Sequence, residues 1–362
     1  MSESASPSLS RPGFGRRSKG FDLLKFVSRY GVVITLLASI LIFSVLNDRF
    51  LEADGIRTSL NLGSPLLMLA LGLTAVLAMG DFDLSVTGLQ SAAGAMVVIL
   101  IVNHDWTWWL AVLMGLLLCV FAGSLNGALV SYAGMPSFIT TLATGLILIG
   151  IRYEIADGRN ITGSRDLPDI YRDFGVGKPE PWLELNTPVW IAAGLAILMW
   201  LLMSKTEMGR YMYAIGGNPE AARLSGINVR ALRAAGFTLV GFMALFAAFT
   251  STARSASAVA DSGFSTLLGA YAAAFLGAAA SKRTLFNVPG TVLGVIFLQA
   301  VDRGLILEGY STGVRKAASC CWPWRSPGWA HPGNDWRRPA GPRVALGGCR
   351  GDQALPGRAG RG

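Results

Sequence analysis

Few side chains in this sequence could support covalent or metal chemistry. It has two histidines, His104 and His331, and four cysteines; Cys119 falls inside an apolar run, and Cys320, Cys321 and Cys349 lack the spacing of a zinc site. "GVGKPE" (175–180) supplies a Gly-Lys pair, but Pro179 stands where a nucleotide-binding loop needs a hydroxyl for magnesium. The sequence therefore reads as no enzyme, with no metal and no cofactor of its own, and it cannot hydrolyse ATP alone. The remaining candidates are polar residues set in apolar surroundings: Asp83, Ser85, Asn126, Thr140, Thr144 and Asp302. Such groups are costly in a membrane and mark candidate points on a solute's translocation path.

Each candidate also has a structural role open to it. Asp83 could cap a helix beginning at Leu84, its carboxylate reaching the backbone N–H near Val86. Thr140, Thr141 and Thr144 fall at helical spacing, where a threonine hydroxyl commonly bonds its own i−4 carbonyl or a neighbouring helix. Asp302 adjoins Arg303, roughly 21 Å along a helix starting near Val288, so interfacial water could solvate it.

The elements that must position these residues are membrane helices. The chain is 52% hydrophobic and only 15% charged, against roughly 25% charged in soluble domains. Apolar runs at about 30–46, 60–79, 84–102, 107–131, 137–155, 187–204, 234–252, 264–281 and 288–307 approach the ~20 residues that cross a bilayer, which predicts an all-α polytopic bundle of about nine visible spans. The basic arm with Arg11, Arg16, Arg17 and Lys19 precedes the first run, and no small-residue cleavage site follows, so no cleaved leader is expected. Placing that arm in the cytoplasm puts Lys205, Arg210, Arg223, Arg230, Arg233, Lys282 and Arg283 there too. The loop 156–186 then lies outside; its basic residues, interleaved with acidic ones, oppose this orientation weakly. The net charge of +9 fits topology and anionic lipid, and not nucleic acid. Gly123 with Gly127, and Gly290 with Gly294, form small-x-x-x-small pairs suited to close helix packing.

One stretch is polar and organised: "GRYMYAIGGNPEAARLSGINVR" (209–230). Asn218 is a good N-cap, Pro219 fits the first helical position, Glu220 suits the positive end of the dipole and Gly226 suits the residue past the end. These signals predict a helix of about two turns, over 219–225. So short a helix is marginal in water and needs a surface, either lipid headgroups or a protein groove. Its apolar content is Ala221, Ala222, Leu224 and Ile227, which favours a groove on a partner.

This stretch resembles the cytoplasmic coupling loop of permease subunits of bacterial ABC importers for monosaccharides, the ribose, xylose and rhamnose type, where "GRY-x-YAIGGN-x-EAA-x-LSGI" recurs. The resemblance assigns ATPase coupling to Gly209, Arg210, Tyr211, Gly216, Gly217, Asn218, Glu220, Ala221, Ala222, Leu224 and Gly226. It implies partners: an ABC ATPase subunit that binds ATP-Mg and receives the short helix in a cleft, a second permease subunit, a periplasmic sugar-binding protein and a monosaccharide. The implied location is the bacterial inner membrane. "MGDFDLSVTG" (79–88) is similar to the family's "GGIDLSVG", departing at Asp81, where glycine is expected, and at Thr87. "PSFITTLATGLILIGI" (136–151) resembles its "PPFI-x-TL-x-T". An ion-coupled secondary transporter is the alternative; it calls for mid-membrane ionisable groups and inverted repeats, neither of which is clear here.

The chain thus divides into a basic arm (1–29), a permease region (30–315) containing the loop 205–233, and a tail (316–362). The family expects a tenth span after "EGYSTGVRK" (308–316), yet the tail is rich in Gly, Ala, Arg and Pro with interspersed Trp. A frameshift near residue 316 explains that break; a specialised tail is the alternative.

Overall fold

The computed structural model describes residues 23–158, 161–162, 167–180, 184–258, 263–280 and 285–310. Residues 1–22 of the basic arm, Arg159, Arg165, Asp166, Lys282, Arg283 and the tail lie outside the described residues; the arm's last seven residues, 23–29, are helical and begin α1, earlier than the expected start at 30. Membrane-type helices are α1 (Leu23–Leu46), α2 (Ala53–Ala78), α3 (Val86–Val102), α4 (Trp108–Ser131) and α5 (Ser137–Ile155). After a short helix α6 (Asp169–Val176) comes α7 (Thr187–Lys205), then two short helices, α8 (Glu207–Gly217) and α9 (Pro219–Leu224). The chain returns through α10 (Val229–Ser255), α11 (Gly263–Ala279) and α12 (Val288–Leu307). Six of these helices are long and apolar enough to cross a membrane alone, while α1, α3 and α11 contribute shorter apolar stretches.

The chain is an all-α polytopic membrane bundle, with one local departure: Ile161–Thr162 pairs antiparallel with Ser257–Ala258. The expected external loop 156–186 also contains α6, whose Tyr171 is fully buried against the end of α10. Its hydroxyl lies 2.6 Å from Thr252 Oγ1, and its ring meets Phe249 edge-on at 5.3 Å.

At the centre is α10, packed on α2, α3 and α4. Missing side chains make that closeness possible. A Cβ on Gly127 would lie 2.7 Å from the Cα of Ala234, and one on Gly123 equally close to the Phe237 carbonyl oxygen. On α12, Gly290 and Gly294 press in the same way on Gly277 and Ala273 of α11. Where lipid is as apolar as the side chains, such van der Waals fit is a main source of helix association.

The connections gather at two ends. One carries α8, α9 and residues 79–85, 132–136 and 285–287; the far end carries 47–52, 103–107 and α6. At the far end Arg303 donates to the carbonyls of Phe50 (2.8 Å) and Arg49 (2.7 Å), fixing α12 to the turn after α1.

Candidate functional site

The polar stretch folds as two helices meeting at Asn218. Thr206 caps α8, its hydroxyl accepting from Gly209 N–H at 3.3 Å. Asn218 is extended (φ −159°), and its Oδ1 accepts from the N–H groups of Glu220 (3.1 Å) and Ala221 (3.0 Å), opening α9. Gly226 takes φ +83°, and the N–H groups of Gly226 and Ile227 close the helix on Arg223 and Ala222 carbonyls at 3.0 and 3.1 Å. Only Ala222 of α9 is buried. Glu220, Ala221, Arg223 and Leu224 face outward, and Leu224 is 79% exposed, an apolar knob on a polar helix. Glu220 pairs with Arg223 at 2.6 Å and by that hydrogen bond keeps the guanidinium even more firmly protonated.

On α8 the burial alternates by turn. Gly209, Met212 and Ile215 face the bundle, while Arg210, paired with Glu207 at 3.4 Å, and Tyr211 face out. Gly216 rests on the Ala78 carbonyl at the end of α2, a contact that any Cβ would block, while a Cβ on Gly217 would meet no described residue. Tyr213 donates to the Phe286 carbonyl at 2.8 Å; burial pushes its phenol above the usual range, so it stays a neutral donor. At the start of α10, Arg233 Nε donates to Asp81 Oδ2 at 2.6 Å and Nη2 to Oδ1. The first two ties bind α8 to α2 and to the α11–α12 connection, and the third binds the start of α10, just after α9, to residues 79–85.

Residues 79–85 are non-helical and enter the bundle. Ser85 accepts from Asn126 Nδ2 at 2.8 Å, five residues before the end of α4, and Leu84 N–H reaches Thr141 Oγ1 at 3.0 Å, one turn inside α5. Irregular backbone is tolerated there because each donor finds a partner. Phe82 N–H bonds Ser137 Oγ (3.3 Å), and Asp83 N–H bonds Tyr271 Oη (2.9 Å). Asp83 does not cap a helix at Leu84 or reach Val86. The helix begins at Val86, and Asp83 Oδ1 instead accepts from the N–H (2.8 Å) and Oγ (2.6 Å) of Ser85, two residues on, because the backbone turns there before becoming helical.

Asp83, Ser85 and Asn126 therefore form one fully buried network, in which Asp83 Oδ2 and Asn126 Oδ1 have no hydrogen-bond partner among the described residues. Thr140 and Thr144 bond their own i−4 carbonyls, both at 2.9 Å, and not the network. Asp302 is separate as well, on the far-end part of α12 next to Arg303.

Residues 55–317 match a family described as branched-chain amino acid transport system / permease component. The chain belongs to that family of membrane permeases. It is 34% identical over 281 residues to the ribose import permease protein of Escherichia coli (strain K12), covering 77% of this chain and 86% of the relative. The ribose import permease protein of Bacillus subtilis (strain 168) is 32% identical over 289 residues, 79% and 87% of the two chains. The L-arabinose transport system permease protein of E. coli (strain K12) is 30% identical over 307 residues, 84% and 90%.

In this permease the sequence reading missed the residues that hold the site in place. By sequence, Arg233 is one loop charge among several and Asp81 a departure from glycine; their opposite charges in separate connections are the available signal. Tyr271 left less trace, being one aromatic in an apolar run. Gln90 and Arg254 are polar interruptions near or within spans, and such interruptions merit attention as a class.

Proposed function

We propose that this permease is the membrane subunit of an ABC importer that moves a monosaccharide across the bacterial inner membrane. In this reading two membrane subunits work with two ATPase subunits, which bind ATP-Mg, and with a periplasmic sugar-binding protein. The observation that carries it is α9: a capped helix presenting Leu224 outward while its neighbours α8 and Arg233 grip α2 and the buried Asp81 of the 79–85 loop. An exposed apolar residue on a firmly tethered polar helix suits a groove on a motor subunit. The similarity to ribose and arabinose permeases supports a sugar as the solute.

ATP-driven closure of the motor displaces α9, and the Arg233–Asp81 pair carries that displacement to the loop bearing Asp83 and Ser85. Access alternates because ATP and the docked binding protein favour the outward-facing state by their differential affinity for it. The test is D-ribose uptake by vesicles holding this chain with its ATPase and binding protein, run also with a tenth span restored. ATP-dependent uptake that ignores ion gradients is expected of the version with the tenth span. Uptake driven by a gradient without the ATPase supports the secondary-transporter alternative, and failure of both versions removes the importer reading.

A further inference from the structure

A second polar site lies farther along α3. Between α3, the last turns of α10 and the strand at Ser257–Ala258 is a cavity of about 220 Å³, lined by Gln90, Ser91, Ser251, Arg254, Ser255 and Ser257 among others. At ~30 Å³ per water it has room for about seven waters, the scale of a single sugar ring. Gly94, Ala95 and Ala248 supply a wall of small apolar groups.

The polar groups here are not consumed by the fold. Gln90 is only 9% exposed, and its amide lines the cavity without a hydrogen bond to another described residue. Arg254 Nε is fully buried and has no partner among the described residues. Burying such a donor without a partner costs about 1–3 kcal/mol, so Arg254 is held ready for a ligand or for water, with the Gln90 amide open to the same space. Thr252 is occupied by Tyr171, and the single hydroxyl proton of Ser255 is shared between the carbonyls of Ser251 and Ser257, both 2.9 Å away. These bonds fix the rim and leave the Ser255 oxygen's acceptor capacity open.

We infer that this cavity is a binding station for one neutral monosaccharide, with Gln90 and Arg254 taking ring hydroxyls and Gly94, Ala95 and Ala248 meeting the C–H face. Four serine hydroxyls, an amide and a guanidinium match a polyol, whereas among the described residues no carboxylate lines the cavity to receive an ammonium. That lining disfavours a free amino acid. Gln90 lies on α3 five residues beyond its N-cap Ser85, a rise of about 7.5 Å, so the Asp83–Ser85–Asn126 network at the helix start and the station are successive points along α3.

The inference rests on the importer reading, and its test is binding alone. The full chain in lipid nanodiscs is titrated with D-ribose, L-leucine and cyclohexanol, read by saturation-transfer NMR. D-Ribose should bind weakly and the other two should not. Gln90→Leu and Arg254→Leu should each weaken ribose binding about tenfold, the loss of one or two hydrogen bonds, and Arg254→Lys should recover part of it. Unfolding temperatures monitor the folding of each variant, and Thr250→Val, whose hydroxyl bonds within its own helix and Met68 sulfur, should bind ribose normally. Absent ribose binding, binding unchanged in the Gln90→Leu and Arg254→Leu variants, or a preference for L-leucine overturns the station. Uptake measurements with the ATPase decide the importer reading independently.

Discussion

Arg233 holds Asp81 through two nitrogens across 152 residues of chain, joining the first turn of α10 to the non-helical loop after α2. The pair is asymmetric: the Asp81 side chain is 4% exposed and that of Arg233 is 32% exposed. Removing Arg233 strands a buried carboxylate, while removing Asp81 leaves a cation that can reach water. Losing one partner of a buried pair costs about 3–5 kcal/mol, reduced where solvent screens. Arg233→Met should therefore lower the unfolding temperature in detergent clearly more than Asp81→Gly. The double variant should recover most of the stability and still show weakened coupling between ATPase activity and uptake. Equal destabilisation by both single variants contradicts this account.

Leu224 is the next target. Because it is exposed, Leu224→Asp should leave folding intact and weaken ATPase association about tenfold or more, measurable by co-purification and by titration of the ATPase subunit. Glu220→Lys opposes the α9 dipole, and Gly226→Val forces a β-branched residue to φ +83°. Both should uncouple ATP hydrolysis from transport, and normal uptake in both would remove the coupling role.

Thr141 and Thr144 provide an internal contrast. Thr141 Oγ1 accepts Leu84 N–H, so Thr141→Val leaves a part-buried donor unmet, at a cost of about 1–3 kcal/mol. Thr144 satisfies only the Thr140 carbonyl, which is also bonded along its helix, so Thr144→Val should cost about 0.5 kcal/mol or less. Thermal unfolding of the two variants side by side checks the difference.

Residues 316–362 carry the fourth prediction. The family match stops at residue 317, where apolar composition gives way. We propose that this change reflects a frameshift: the chain should insert into membranes yet support little ATP-dependent sugar uptake. An apolar span of about 20 residues placed after Val314 should restore uptake. Robust uptake by the chain as it stands would instead make the tail a tolerated extension.

The membrane helices were legible because hydropathy alone locates them; the expected 137–155 and 288–307 coincide with α5 and α12. The short helix at 219 was legible through Asn218, Pro219 and Gly226, whose preferences act locally. The helix α8 was not, since Gly209, Gly216 and Gly217 argue against a helix by propensity. Two of them serve tertiary contact instead, Gly209 on the Met203 backbone and Gly216 on Ala78. The Asp81–Arg233 pair and the Gln90–Arg254 cavity were illegible for a different reason. Each joins residues more than a hundred positions apart, and only the helix packing brings them together.

The close fit of α10 also gives it a mechanical character. Its glycine contacts run from Ala234, Phe237 and Gly241 on α4 to Ala253 and Arg254, whose backbone rests on Gly175 of α6. Clamped near both ends, α10 is a push-rod: close-packed interiors compress little and transmit strain, so a pull on the Asp81–Arg233 pair reaches the Arg254 end as a shift of the whole helix.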